Sequence, residues 1–351
     1  MRRRIGRMLT LALALLLGGM ARADMRLPYA ADTVISVRGL TRDQQKLAEF
    51  LYQPLLEGSE KIDLPENTRY DDVSAAMTSL MQDYPELFHL DKQYQVGYLV
   101  NRPERAIYVT PRYRMGRQEA DTLRTALYQQ ARTVLGMGTG AEWLHDVLLL
   151  NVSYGGSTDL RHTAVGALLY GQATCEGYAQ ALTLLYRMAG IPCGMVVGDA
   201  RENTGATARH AWNIANVGGM MLIDATWNDQ DKAGVNTQWY YGLSTEQMGR
   251  DHTPDREQQL PRCGDQANWH RVRGYLADDR QDVYGLIRLL ALYDAPVNVR
   301  VTDRALFQAL AADTAYDFIG DYNDQCARGE EFYGSYSVLV NDTQQCVMIF
   351  R

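Results

Sequence analysis

The chain has 351 residues, with 46% apolar and 22% charged side chains and a net charge of −7. That length and apolar content suffice for two or three domains with buried cores and exclude global disorder. The acidic balance repels phosphate backbones, so nucleic acid is a poor partner.

Residues 1–23 read as a secretory leader. Arg2, Arg3, Arg4 and Arg7 form a basic start, Leu9 to Met20 an apolar stretch short for a bilayer span, and Ala21-Arg22-Ala23 a small-x-small cleavage site. The mature chain then begins near Asp24 and is secreted or otherwise extracytoplasmic. An uncleaved anchor is the alternative; no later segment is long and apolar enough to span a membrane.

Residues 24–115 read as an N-terminal α/β unit. Leu47, Phe50, Leu51 and Leu55 give helical spacing over Asp43 to Leu56, and a second helix covers Val73 to Met81, closed by Tyr84-Pro85. Strands are expected over Tyr94 to Val100 and Ala106 to Thr110, around an Asn101-Arg102-Pro103-Glu104 turn. Residues 116–246 form the next unit. A long amphipathic helix runs from Met115 to Leu135 and breaks in the glycines of 136–140; another covers Thr139 to Asn151 and leads into a flexible run, Val152 to Gly156. Tyr178, Ala181, Leu182, Leu185 and Met188 stripe a helix over 175–189, which Gly190 and Pro192 stop. Strands follow at Cys193 to Val197, His210 to Asn216 and Met220 to Thr226. The polar segment 247–269 reads as a linker. Residues 270–351 form a C-terminal α/β unit with helices near 281–293 and 303–313, a strand at 297–301 and a closing hairpin through Asn341-Asp342.

Three polar residues stand out against this frame. Cys175 falls at a predicted helix start with Thr174 as N-cap. The partial positive charge there favours a thiolate, and the unpaired N–H groups of the first turn can bind an oxyanion. Gly177 removes a side chain beside the thiol, which would let a substrate backbone come close. An isolated cysteine reads first as a buried structural one; its position at the helix start and what lies downstream reverse that. His210 and Asp224 flank a turn at Val217-Gly218-Gly219. A three-residue loop pairs Asn216 with Met220 and sets His210 and Asp224 on one face as diagonal neighbours, roughly 7–8 Å apart at the backbone. Asp224 can then orient the imidazole, and His210 can exchange a proton with Cys175. Trp212 shares that face, as a shield for the site or as plain core. Gln172, three residues before the thiol, is a candidate oxyanion donor or loop stabiliser.

The pattern Gly171-Gln172-Ala173-Thr174-Cys175-Glu176-Gly177-Tyr178-Ala179, with Leu184, Leu185, Gly190-Ile191-Pro192, Val197-Gly198, His210-Ala211-Trp212-Asn213 and Asp224-Ala225-Thr226-Trp227, resembles the transglutaminase-like superfamily, its secreted bacterial branch in particular. Trp143-Leu144-His145-Asp146 and Asn151 to Tyr154 resemble the family's lead-in helix, and the likeness covers about 140–230. It implies an α+β fold with a papain-like core, a nucleophile helix packed on an antiparallel sheet. It also implies a triad of Cys175 as nucleophile, His210 as base and acid, and Asp224 as orienter. Gln172 and Trp212 are the residues expected at the substrate. Family members make or break amide bonds through a thioester: some crosslink glutamine to lysine, others are peptidases or amidases. The loop Asn203 to Arg209 departs from the pattern, and no calcium-binding acid cluster is evident.

The expectation is an exported cysteine peptidase or amidase acting on a protein or peptide, cell-wall peptide among the candidates. A glutamine crosslinking enzyme and a non-catalytic scaffold are the alternatives. No cofactor is called for, and the cysteine spacings do not resemble a zinc site. Asp229 and Asp231 are not read as metal ligands. With Cys175 set aside, Cys193, Cys263, Cys326 and Cys346 allow three pairings, of which Cys326 with Cys346 is nearest in sequence.

Overall fold

The computed structural model describes residues 27–350 apart from 203, 231–234, 294–295, 313–314 and 334. The expected leader, 1–23, lies outside the described residues, as does Asp231. The fold is α+β, in two compact units: Met1–Val196 with Arg256–Gln259, and Val197–Asp255 with Leu260–Arg351. The first unit runs on past 115 to Val196, and His252–Pro254, beyond 246, pairs with the strand Cys193–Arg201.

In the first unit, helix α1 (Arg42–Leu56) opens on a capping box. The Thr41 hydroxyl accepts from the Gln44 N–H, and the Gln44 side chain accepts from the Thr41 N–H. Strand β1 (Ile62–Asp63), helix α2 (Tyr70–Asp83) and the long hairpin of β2 (Leu90–Leu99) and β3 (Arg102–Tyr113) complete the first layer. The sheet order is β1-β3-β2. Leu51, Leu55, Val73, Ala76 and Met77 are buried between the helices and this sheet. The hairpin is longer and its turn tighter than expected, with Leu99 paired to Arg102. Pro103 is tolerated because it falls in the irregular stretch between that pair and Tyr98–Ala106.

Helices α3 (Arg117–Met137), α4 (Ala141–Asn151), α5 (Ala164–Tyr170) and α6 (Cys175–Met188) follow. The run expected to be flexible instead holds β4 (Ser153–Tyr154), paired in parallel with β5 (Gln172–Ala173). Gly171, at φ 65°, makes the left-handed turn from α5 into β5. Helix α6 is buried on every side from Gly177 to Arg187, so it is a core helix rather than an amphipathic one. Its two tyrosines reach backbone carbonyls: Tyr178 Oη donates to Val152 O at 2.9 Å and Tyr186 Oη to Ala141 O at 2.8 Å.

The second unit contains a five-stranded sheet in the order β11-β8-β7-β6-β12. Its members are β6 (Cys193–Arg201, in this unit from Val197), β7 (Thr207–Asn216), β8 (Met220–Ile223), β11 (Tyr241–Leu243) and β12 (His252–Pro254). Helix α7 (Ala225–Asn228), a small ladder of β9 (Asp229–Gln230) with β10 (Val235–Asn236), and helix α8 (Thr245–Met248) connect them. The segment read as a linker contributes α8's end and the edge strand β12, whose His252 pairs with Ala200 of β6. After helix α9 (Trp269–Arg273), a second sheet runs β13-β14-β16-β15, from β13 (Leu276–Ala277), β14 (Val297–Val301), β15 (Ser337–Asn341) and β16 (Cys346–Phe350). Helices α10 (Arg280–Tyr293), α11 (Arg304–Ala311) and α12 (Ala315–Gln325) accompany it, α12 being unanticipated. Phe307, Ile287, Val299 and Val347 are among its fully buried residues. Among the described residues no disulfide is formed, and Cys326 and Cys346 are not bridged. Among the described residues, no helix is long and apolar enough to cross a membrane.

Candidate active site

In the first unit, Cys175 is the first residue of α6 and is partly exposed. Thr174 holds the N-cap backbone position, but its hydroxyl makes no capping bond. It lies 2.9 Å from His162 Nδ1 and 3.5 Å from the carbonyl of Arg161. The first-turn N–H groups beside the thiol are therefore left without a side-chain cap, the state in which they can receive a developing oxyanion. His162 thus belongs to the turn that supports this helix start. Burial works against its protonated form and outweighs the charge of Glu176, so its pKa is lowered.

Gly177 does not face an open cleft. A Cβ there would lie 2.4 Å from the Arg161 carbonyl oxygen and 3.1 Å from that of Thr163. The glycine is required by the packing of α6 on the preceding turn, which corrects the expectation that it admits a substrate backbone. Glu176 pairs with Lys92 at 2.8 Å. The ammonium side is well exposed, so the pair contributes little to stability. Gln172 is exposed in β5, opposite Ser153. His145 is fully buried in α4 and bonds Asp146 at 2.9 Å.

In the second unit the loop after β7 has the expected length. Asn216 pairs with Met220, and Gly218 takes φ 68°. Strand β8, however, stops at Ile223 rather than Thr226. The physical reason is Asp224 itself: it N-caps α7, its Oδ1 accepting the Trp227 N–H at 3.1 Å. Its other oxygen, Oδ2, accepts from His210 Nε2 at 2.7 Å. One carboxylate thus serves both as helix cap and as partner of the imidazole, and both residues are buried.

Two residues complete this cluster that the sequence did not mark. His252 Nε2 lies 3.1 Å from the same Asp224 Oδ2, and His252 Nδ1 lies 2.6 Å from Asp251 Oδ1. Asp251 in turn accepts from Tyr240 Oη at 2.8 Å and from Gln344 Nε2 at 3.1 Å. Both were hidden in a polar stretch without periodicity, where adjacent Asp and His carry no local signal of burial.

Burial alone would raise the pKa of Asp224, but the charges and hydrogen bonds of His210 and His252 outweigh it and hold the carboxyl well below its usual range. Burial likewise disfavours a charged His252, yet its hydrogen bonds to Asp224 and Asp251 prevail and raise its pKa. Burial, then the charge of Asp251, pushes the Tyr240 phenol far up, so it remains a donor.

Aromatic rings wall the cluster. His210 stacks on Trp212 with centroids 6.2 Å apart and tilts against Trp227 at 5.3 Å. Trp212 is 1% exposed, which makes it a support for the two imidazoles rather than a surface for substrate, as had been expected. Gly198 allows this packing: a Cβ there would meet the Thr253 carbonyl at 2.1 Å and the Trp212 ring at 2.8 Å. Ligand atoms of His210, Asp224 and His252 lie within 4.8 Å of one another. Each is already committed to a hydrogen bond, and none is assigned as a metal ligand. Asp229 pairs with Asn236 in the β9–β10 ladder.

Residues 124–227 match the family model of the transglutaminase-like superfamily. Among solved structures, the chain is similar to a "Putative Cysteine Protease" from Cytophaga hutchinsonii, at 12% identity and a TM-score of 0.24. That match covers 38% of this chain and 61% of the other, so the chain spans about six tenths of that protein's length. No curated protein matches the sequence.

Proposed function

We propose that the protein is an exported cysteine enzyme that cleaves amide bonds through a thioester, as a peptidase or amidase. The Cys175 sulfur attacks the carbonyl carbon, and its proton passes to His210. First-turn N–H groups of α6 hold the oxyanion. The tetrahedral adduct collapses with loss of the amine, which leaves with the proton from His210. Water, deprotonated by the same imidazole, then attacks the thioester, releasing the acid and restoring the thiol. Asp224 fixes the tautomer and orientation of His210 throughout, and Gln172 contributes to substrate binding.

The observation that carries this reading is the buried 2.7 Å bond from His210 Nε2 to Asp224 Oδ2. In this reading Nδ1 is the nitrogen that exchanges a proton with the thiol, the role that the resemblance implies for His210. The basic and apolar character of 1–23 supports work outside the cytoplasm.

Two assays test the reading. Iodoacetamide should alkylate Cys175 rapidly at neutral pH, and His210→Ala should slow that reaction; equal rates in both proteins would leave a non-catalytic module. Incubation with a glutamine-containing peptide and a primary amine, followed by mass measurement, separates the chemistries. Cleaved or deamidated peptide without amine adduct is expected, whereas accumulation of the adduct would make the enzyme a crosslinking transferase.

A further inference from the structure

We propose that His252 is a positioning residue for the His210–Asp224 pair: an imidazolium strung between Asp251 and Asp224 that holds the Asp224 carboxylate in place and tempers its charge. The proposal deepens the reading of Cys175, His210 and Asp224 given above and rests on it.

The geometry fixes the proton count. His252 Nδ1 meets a carboxylate oxygen of Asp251 at 2.6 Å, and Nε2 meets a carboxylate oxygen of Asp224 at 3.1 Å. Carboxylates accept, so both ring nitrogens donate and the ring carries a positive charge. The surroundings suit a cation. Trp227 and Trp212 stand at 4.6 and 4.9 Å from the His252 ring centroid, and Tyr240 at 5.6 Å. The titratable groups facing it are Asp224, Asp251, His210 and Tyr240.

Asp251 is itself anchored. Asn341 Nδ2 donates to Tyr240 Oη at 2.9 Å, Tyr240 donates to Asp251, and Gln344 donates to the same Asp251 oxygen. Asn341 and Gln344 bound the turn between β15 and β16, beyond the segment that matches the superfamily. Arg300 of β14 braces that turn through the Gln344 carbonyl at 3.0 Å and the Trp239 carbonyl at 2.7 Å. The C-terminal sheet thereby holds Asp251, which fixes His252, which in turn fixes Asp224.

A positive charge whose ring lies 5.5 Å from that of His210 disfavours a second one there. Removing it should make protonated His210 more stable, by about one pH unit.

The experiment is nitrogen-15 NMR of histidine-labelled protein. In the wild type, both ring nitrogens of His252 should be protonated at neutral pH; a neutral ring would overturn the proposal without any variant. In His252→Gln, which keeps a donor and loses the charge, the His210 titration midpoint should rise by about one unit. An unchanged midpoint in folded His252→Gln would also overturn it. Iodoacetamide alkylation of Cys175 across pH separates the two readings. If the alkylation profile moves with the His210 midpoint, both stand. If the midpoint moves and neither His252→Gln nor His210→Ala alters alkylation, His252 keeps its role toward His210 and the thiol–imidazole pairing fails.

Discussion

Gly177 sits so close to the carbonyl of Arg161 that a Cβ would lie 2.4 Å from that oxygen. The same carbonyl accepts the Thr174 N–H at 2.9 Å, so a single backbone oxygen holds the helix start that presents Cys175. Gly177→Ala cannot be absorbed by a side-chain rotation, because the obstacle is backbone. The variant should lose roughly 1–3 kcal/mol, read as a lower urea midpoint, and alkylation of Cys175 should change with it. A variant as stable as the wild type would show that the helix start can shift freely.

Arg187 is the buried anchor at the other end of α6. Its Nε donates to the Cys193 carbonyl at 2.8 Å, an Nη donates to the Asp83 carbonyl, and its guanidinium covers the Tyr29 ring at 5.4 Å. Arg187→Ala removes the donors and leaves a cavity; the expected loss is about 3–5 kcal/mol in denaturant unfolding. Arg187→Met, which keeps most of the volume, should lose less, and the difference measures the hydrogen bonds.

Asp224→Asn preserves shape and can still cap α7 through its oxygen, but its amide nitrogen then faces a nitrogen of His210. The imidazole must turn or change tautomer. Turnover of the amide substrate found by the product assay should fall on the order of ten-thousand-fold, with far-ultraviolet circular dichroism unchanged. Retained turnover would remove Asp224 from the mechanism.

His89 gives a pH dependence whose sign follows from its surroundings. Its Nε2 donates to the Leu55 carbonyl at 3.1 Å and its Nδ1 accepts from Arg124 at 3.3 Å, so the folded chain holds it neutral. Burial, then the Arg124 charge, lowers its pKa from 6.5 to about 4. The unfolded chain takes up the proton first. Stability is therefore full above pH 6.5 and declines as the pH falls toward 4, by roughly 3 kcal/mol from this residue. His89→Gln should flatten that part of a plot of unfolding free energy against pH; an unchanged slope would assign the decline elsewhere.

Much of the local architecture was legible because its causes are local. Leu47, Leu51 and Leu55 mark α1 by their spacing, Gly190 and Pro192 stop α6, and the loop at Val217 to Gly219 sets the parity that brings His210 and Asp224 to one face. The strand end at Ile223 was misread although its signal was present: Asp224-Ala225-Thr226-Trp227 is also a helix start, and the side chain that bonds the imidazole caps it. Pro103 suggested a wider turn, because a bulge that tolerates proline leaves no mark in the sequence.

Residue identity and spacing alone determined the helix-start thiol, the imidazole, the acid and the hairpin parity, since these depend on neighbours within a few turns of chain. Tertiary structure decided what Gly177 is for, that Trp212 supports rings, and that His252 and Asp251 stand behind Asp224. It also gave the β15–β16 turn its place beneath Asp251. Those relationships join positions as distant as Asp251 and Gln344, and burial and charge compensation between such groups exist only once the chain has folded.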